Sequence, residues 1–385
     1  MRAPPDPFDP RHFAAARREA AEVETPPPWY YTSEEFFARE VERIFARVWN
    51  CVGRVERVPN PGDFVTVELV GRPLIVVRGR DGVIRAFANS CRHRGARMLE
   101  GGGNCKAAIK CPYHGWVYAL DGTLQGAPDM EETKGFDRAH YGLAPVRLEV
   151  SHGFLFVNLD PDAAPLSDYL ADFAETFAPY DLANMVSVKR TEFEAACNWK
   201  ASAEVFVEYY HTATVHPTSL NMTQRTVNPP YETRGNFATM FSAHKGSRAL
   251  IEGRGHKPLD PIPTLFGPAQ EGTRFSLLYP GTALGCTIDA MWFIECYPVS
   301  AGHTRYAVNG CFHRSALDHP EFEALARGYH ERWETAVRED NEALERQHRG
   351  LLSPLARPGR VQPTLESIVP MLARWVTDRV IGNTP

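Results

Sequence analysis

The chain has 385 residues, 43% hydrophobic and 23% charged, with a formal net charge of −5. That length accommodates two or three domains and a large core. The acidic balance excludes a nucleic-acid backbone as the main partner, since such binders present a basic face, and no apolar run approaches the ~18–20 residues of a membrane-spanning helix.

The opening MRAPPDPFDPRHF has no apolar secretory core. The eight cysteines are spread along the chain, unlike the dense spacing of a small disulfide scaffold. Both features predict a cytoplasmic protein with reduced thiols. Residues 1–29, rich in Pro, Ala, Arg and Glu, read as a partly ordered arm with a short helix near 11–23. In SEEFFAREVERIFARVW (33–49), Phe36, Phe37, Val41, Ile44, Phe45 and Val48 fall at helical spacing, with Thr32 and Glu35 as a capping box. The period then changes to two. DFVTVEL, PLIVVRG and VIRAFAN are short strands divided by PNPG, GR and RDG turns, and this β unit runs to about 160. GGGN (101–104) reads as a flexible turn; it lacks the strand–helix context and lysine of a phosphate loop. The stretch from RTEFEAACNWK begins as a strand and becomes a helix near Asn198. RFSLLYP, CTIDAMWFIECYPVS and RYAVNGCF are β-like, and a long helix covers roughly 318–349.

Two short pieces carry paired metal-ligand types. SCRHRG holds Cys91 and His93; CPYHGW holds Cys111 and His114, with glycines at 95 and 115. Structural zinc takes two Cys and two His, but usually as a Cys pair followed by a His pair. Here each loop is mixed. A Rieske [2Fe–2S] centre, with two Cys on one iron and two His on the other, suits one Cys and one His from each loop. Zinc and a coincidental grouping remain the alternatives on spacing alone.

SCRHRGARML and CPYHGWVY resemble the cluster-binding loops of Rieske non-haem iron oxygenase large (alpha) subunits. The similarity extends through residues 30–69 and returns at NWK and HRGLL, covering most of 30–352. Respiratory-type Rieske proteins, with an extra loop disulfide and a serine after the second His-Gly, match less well: those places hold Ala96, Tyr113 and Trp116. Fewer hydrogen bonds to a cluster lower its potential, which favours the oxygenase type.

NWKASAEVFVEYYHTATVHP (198–217) carries His211 and His216. Two His and one carboxylate form the facial triad of O2-activating Fe(II) enzymes. Five positions apart, these histidines do not share a strict helical face, so the helix must distort or end between them; Thr212, Thr214 and Pro217 favour that. His-x4-His by itself is common among ordinary polar residues, but the NWK…E…YH…HP context resembles the family's iron-binding helix. Glu204 and Glu208 lie one turn apart, and Glu208 precedes His211 by three, which places all three on roughly one helical face. Two solvated glutamates are the bland alternative. The resemblance implies that Glu208 bridges electrons between His211 and His114 of a neighbouring subunit. Family members with Glu at this place include oxygenases acting on carnitine and glycine betaine. Val205 stands where many relatives have Asn.

For a third ligand, the long helix has an apolar stripe through Phe322, Leu325, Tyr329, Trp333, Ala336 and Leu344, and Asp340 falls on it. Glu334, Glu339 and Glu342 fall off it. A buried aspartate needs a cation, either a metal or an arginine partner. REDNEALERQHRGL also resembles the family's third-ligand segment, which implies Asp340.

The implied fold is α+β. A Rieske all-β iron–sulfur domain (50–160) is inserted in a catalytic non-haem iron domain (30–49 and 161–385) of helix-grip type, an antiparallel sheet on a long helix. The implied cofactors are the [2Fe–2S] cluster and mononuclear Fe(II). The implied partners are O2, a small-molecule substrate, a separate NAD(P)H-dependent reductase and two further copies in a homotrimer, with no nucleic acid and no membrane. The expected chemistry is monooxygenation leading to oxidative N-demethylation of a methylammonium compound, because of Glu208 and an aromatic supply that could hold a quaternary ammonium, with Phe206, Tyr210 and Trp292 as pocket candidates. Ring hydroxylation of an aromatic acid, by mono- or dioxygenation, is the alternative, with Arg225, Arg234 or Arg248 for its carboxylate. A Rieske electron-transfer protein without its own chemistry is the alternative of another class. Residues 217–270 read as a loop covering the pocket.

Overall fold

The computed structural model describes residues 6–220, 228–231 and 233–382. The chain divides into two compact units, Phe45–Leu166 and the combination of Met1–Ile44 with Ser167–Pro385. The sequence placed the inserted unit at 50–160.

The inserted unit has ten strands, the longer ones rich in β-branched and aromatic residues: β1 (Asn50–Arg54), β2 (Asp63–Leu69), β3 (Arg72–Arg78), β4 (Ile84–Ala88), β5 (Gly102–Asn104), β6 (Ala108–Lys110), β7 (Val117–Ala119), β8 (Leu124–Gly126), β9 (Pro145–Ser151) and β10 (Phe154–Asn158). Seven make one sheet in the order β1-β10-β9-β4-β3-β2-β5, and β6-β7-β8 make a small sheet of their own. β5 corrects the reading of GGGN as a turn. Its glycines pair with β2, Phe64 opposite Gly103 and Val65 opposite Gly102, and their lack of side chains lets Phe64 lie against the strand. A core of Phe64, Ile75, Val77, Phe87, Met98, Ile109, Trp116 and Tyr118 joins the two sheets and takes in Cys91 and Cys111.

The larger unit is built on an antiparallel sheet of β11 (Met185–Ala195), β12 (Asn228–Tyr231), β13 (Phe237–Ala243), β14 (Gly272–Leu278), β15 (Thr282–Cys286), β16 (Met291–Ser300) and β17 (His303–His313), in the order β11-β17-β16-β15-β14-β13-β12. The run CTIDAMWFIECYPVS is thus two strands. Thr287 breaks it: its hydroxyl donates to the Ala290 carbonyl at 2.8 Å and accepts from the Ala290 amide at 3.1 Å. Such local side-chain bonds compete with the ladder. The long helix Phe322–Leu351 lies on this sheet, with Phe312 of β17 ringed by Phe322, Tyr329 and Trp333. Its inward stripe is Phe322, Ala326, Tyr329, Trp333, Val337, Asp340 and Leu344, the 3–4 spacing of one helical face.

The N-terminal segment is not a free arm. From Asp6 onward it packs into the larger unit, because its apolar residues find cover there. Phe13 is 1% exposed, against the Tyr30 and Phe36 rings, and Val23 accepts from the Val361 amide. The expected helix at 11–23 is replaced by 3-10 turns, Pro10–Phe13 and Ala15–Arg17. The helix expected over 33–49 runs over Glu34–Glu40, capped by Ser33 and not by Thr32, and widens at Val41–Phe45. Among the described residues, no helix is long and apolar enough to cross a membrane.

Candidate metal centres and pocket

Cys91 and Cys111 each open the same backbone turn. The Cys91 amide donates to the Ala96 carbonyl (2.9 Å) and the Gly95 amide to the Cys91 carbonyl (2.8 Å). The Cys111 amide donates to the Trp116 carbonyl (2.8 Å) and the Gly115 amide to the Cys111 carbonyl (3.2 Å). Both glycines take φ +72°, which explains the residue type at that step. The turns differ only in where the imidazole sits, two residues after Cys91 and three after Cys111. Both thiols are buried, and burial pushes the Cys91 thiol up. The Tyr118 hydroxyl is 3.3 Å from the Cys91 sulfur and accepts from the Arg92 amide at 3.0 Å. The His93 and His114 ring centroids are 4.6 Å apart, and His93 stacks on Trp116. Nδ1 of His93 is buried without a hydrogen-bond partner. A buried polar atom of that kind calls for a ligand, and an iron of a two-Cys, two-His cluster fits it.

In the larger unit the chemistry gathers at the joint between a short helix and the long one. Asn198 caps Trp199–Val205, accepting from the Lys200 amide. This helix ends before Glu208, which corrects the single helical face drawn through Glu204, Glu208 and His211. Glu204 faces inward, where it accepts from the Tyr31 hydroxyl (3.1 Å), and burial raises its carboxyl to about 8. Glu208 instead lies in the non-helical segment, where it accepts from the His211 amide (3.2 Å) and bonds His211 Nδ1. One short turn of helix, Thr212–Val215, separates His211 from His216.

His211 Nε2, His216 Nε2 and Asp340 Oδ1 converge. The two nitrogens are 3.2 Å apart, and Oδ1 is 3.4 Å from His211 and 2.9 Å from His216. Each imidazole spends its Nδ1 hydrogen on a carboxylate, His211 on Glu208 and His216 on Glu339 at 2.8 Å. In the neutral rings the three facing atoms are therefore lone-pair bearers, and Asp340, 3% exposed, has no well-directed hydrogen bond to Oδ1. Three acceptors at van der Waals distance repel unless a cation sits among them. Without a metal a proton is drawn in. Burial disfavours the charged imidazole, but the adjacent Asp340 and Glu208 carboxylates outweigh it, raising His211 to about 9. Two nitrogens and one oxygen, oriented by outer carboxylates, suit a divalent iron.

These three residues line a cavity of about 810 Å³. Phe206, Tyr209, Phe275 and Trp292 form an aromatic wall, with Tyr209–Phe275 centroids 5.3 Å apart and Phe275–Trp292 6.1 Å. Of the three pocket candidates, Phe206 and Trp292 stand here. Tyr210 does not: past the helix end it turns outward, 58% exposed. Residues 244–258 supply the opposite wall. Their fastening to the long helix is specific: the Leu259 amide donates to the Tyr329 hydroxyl (2.8 Å), His256 pairs with Glu331 (2.9 Å), and the bare Gly328 makes room for the His256 ring. Of the three candidate arginines, Arg248 lines the cavity. Arg234 does not: it is exposed and pairs with Glu175, and its amide is held by Asp172 ahead of β13. Arg225 lies outside the described residues.

Sequence reasoning missed Glu339, Ser219 and Arg332. Glu339 and Ser219 form one carboxylate–hydroxyl bond beside His216. Only the Glu-Asp dipeptide hinted at this, since an acid next to a ligand on a helix reaches the ligand's neighbour. Arg332 lines the cavity from the long helix and carried no sequence signal.

Residues 182–382 match the family model described as ring hydroxylating alpha subunit (catalytic domain), and residues 48–137 match the Rieske [2Fe-2S] domain. These are the two domains of the Rieske non-haem iron oxygenase alpha subunits, the class that carries a [2Fe–2S] cluster and a mononuclear iron. The catalytic match spans just over half of the chain, and the chain belongs to the ring-hydroxylating alpha-subunit family.

The carnitine monooxygenase oxygenase subunit of Escherichia coli (strain K12) is 38% identical over 215 residues, 55% of this chain and 57% of that protein. The chain thus spans little more than half the length of the carnitine relatives it matches. The glycine betaine monooxygenase oxygenase subunit of Pseudomonas aeruginosa (strain UCBPP-PA14) is 27% identical over 409 residues, 98% of this chain and 94% of the relative. Among solved structures, the quaternary ammonium Rieske monooxygenase CntA superposes with a TM-score of 0.80 at 26% identity, covering 96% of this chain and 98% of that one.

Proposed function

We propose that the protein is the terminal oxygenase of a reductase-fed pair and that it oxidatively N-demethylates a methylammonium compound. The observation that carries this is the convergence of His211, His216 and Asp340 on the floor of an aromatic-walled cavity. Cys91, His93, Cys111 and His114 would hold the [2Fe–2S] cluster, and His211, His216 and Asp340 the iron. When bound, these centres store electrons and activate O2 at an open coordination face.

The chain's own residues do the rest. Glu208 and Glu339 keep both histidines as neutral Nε2 donors by holding their Nδ1 hydrogens. Glu208 also links His211 to the cluster side chain His114 of a neighbouring copy, which requires an assembly such as a homotrimer. Phe206, Phe275 and Trp292 present ring faces to a quaternary ammonium, each well-placed cation–π contact contributing ~0.5–2 kcal/mol. Electrons come from a separate NAD(P)H-dependent reductase, and the protein works in the cytoplasm, off the membrane. The two relatives' names, carnitine and glycine betaine monooxygenase subunits, support the substrate class.

A single-turnover experiment tests this. The cluster is reduced chemically, O2 and a panel of methylammonium compounds and aromatic acids are added, and products are read by mass together with formaldehyde. Formaldehyde with a demethylated amine is the expected result. A ring-hydroxylated product without formaldehyde overturns the demethylase reading in favour of ring hydroxylation.

A further inference from the structure

Arg332 projects from the long helix eight residues before Asp340, about 12 Å up the helix axis at 1.5 Å per residue. It lines the same cavity as the iron ligands. Among the described residues it makes no hydrogen bond and no ion pair. The acids in its field are occupied elsewhere: Asp289 accepts from the Tyr329 hydroxyl, and Asp340 faces the two histidines. Glu331, next to it in sequence, pairs with His256. Glu252 lines the cavity too, but it is solvent-exposed.

A second guanidinium, Arg248, lines the same cavity and disfavours the charge on Arg332. Burial lowers Arg332 most, to about 10, which still leaves it charged at neutral pH. Arg332 is part-buried, and a cation drawn partly out of water beside another cation is costly unless an anion joins them. Guanidinium is the group best shaped to take a carboxylate by two parallel hydrogen bonds. Tyr209, whose hydroxyl bonds Ser242 and lies in the field of both arginines, supplies a further donor on that side.

We infer that Arg332 is a specificity-determining residue that takes the carboxylate of the substrate, so that the substrate class is a carboxylic acid whose N-methyl end reaches the His211–His216–Asp340 floor. The methylammonium half of this statement rests on the demethylase reading; the carboxylate half does not. A zwitterion is then read at both ends, its cation by the Phe206, Phe275 and Trp292 rings and its anion by Arg332. A cationic amine without an acid group would leave the Arg332 charge unmatched.

Binding to the oxidised holoenzyme, measured by titration calorimetry without O2, decides this. The probes are γ-butyrobetaine, its methyl ester, choline and benzoate, against the parent protein and the Arg332→Gln and Arg332→Lys variants. γ-Butyrobetaine should bind the parent at least tenfold tighter than its ester or choline. Arg332→Gln should lose roughly 10–100-fold for the acid, the range of a charge-assisted hydrogen bond, and nothing for the ester; Arg332→Lys should recover part of the loss. Without ligand, Arg332→Gln should melt no lower than the parent, since it removes an unpaired charge. Equal binding of acid and ester by the parent, undiminished acid binding by Arg332→Gln, or no binding of either acid overturns the inference. Arg332-dependent binding of benzoate with none of γ-butyrobetaine keeps the arginine assignment and removes the demethylase reading.

Discussion

Glu339 accepts the Nδ1 hydrogen of His216 at 2.8 Å, and the next residue, Asp340, faces the Nε2 edge of the same ring at 2.9 Å. Two consecutive helical residues therefore hold one imidazole from both sides, fixing its tautomer and its angle at once. An outer carboxylate of this kind typically contributes 10–100-fold to metal affinity. Glu339→Gln should weaken mononuclear iron binding by about that factor while the cluster's visible spectrum is unchanged, as read by chelator competition. Unaltered iron affinity would remove Glu339 from the site.

Asp340→Ala removes a proposed ligand without touching the other unit. Iron per chain should fall from ~3 to ~2, the cluster's share, and the protein should still reduce. Loss of all iron together would mean that the two centres are not independent.

Asp340 was legible in the sequence for a physical reason. An acid on an otherwise apolar helical stripe has to be matched by a cation, and the stripe is a periodicity that needs no tertiary knowledge. The mixed Cys/His loops were legible because each motif is local, and both turns form from residues within six positions. Glu339, off the stripe, acquires its role only because His216 is delivered to it by a different segment. Arg332 is off the stripe as well, and reads as solvated until residues 244–258 fold over that part of the helix. The single helical face assumed for Glu204 and Glu208 failed because periodicity does not announce where a helix stops. Val205 closes it, and Glu208 then caps the following segment through backbone amides.

Glu208→Gln keeps an acceptor beside His211 but removes the charge. Both metal centres should load and the cluster should reduce normally. Reoxidation of the cluster by O2 in the presence of substrate should slow sharply, followed by rapid-mixing absorbance. Reoxidation at the parent rate would sever Glu208 from electron transfer.

Glu204 gives a stability prediction of definite sign. Its carboxyl is raised from 4.5 to about 8, by burial first and then by Glu366 and Glu208, against the Tyr31 hydrogen bond and the Lys200 charge. The native protein thus keeps a proton that the unfolded chain has already released. Stability should fall as pH rises between those two values, by at most ~1.4 kcal/mol per pH unit. Glu204→Gln, which cannot ionise, should raise the melting temperature at pH 8 relative to the parent and change it little at pH 5. An equal shift at both pH values would show that the carboxyl is not held protonated.

Gly285 of β15 lies opposite Trp292 of β16. A methyl group at Gly285 would collide with the indole. Because Trp292 is part of the aromatic wall, the substitution acts on the cavity without altering any metal ligand. Gly285→Ala should push the ring into the substrate space, with an overpacking cost of ~1–3 kcal/mol. Methylammonium binding should weaken several-fold and tryptophan fluorescence should shift, while iron content stays that of the parent. If binding weakens only together with loss of iron, the indole supports the metal floor and not the substrate.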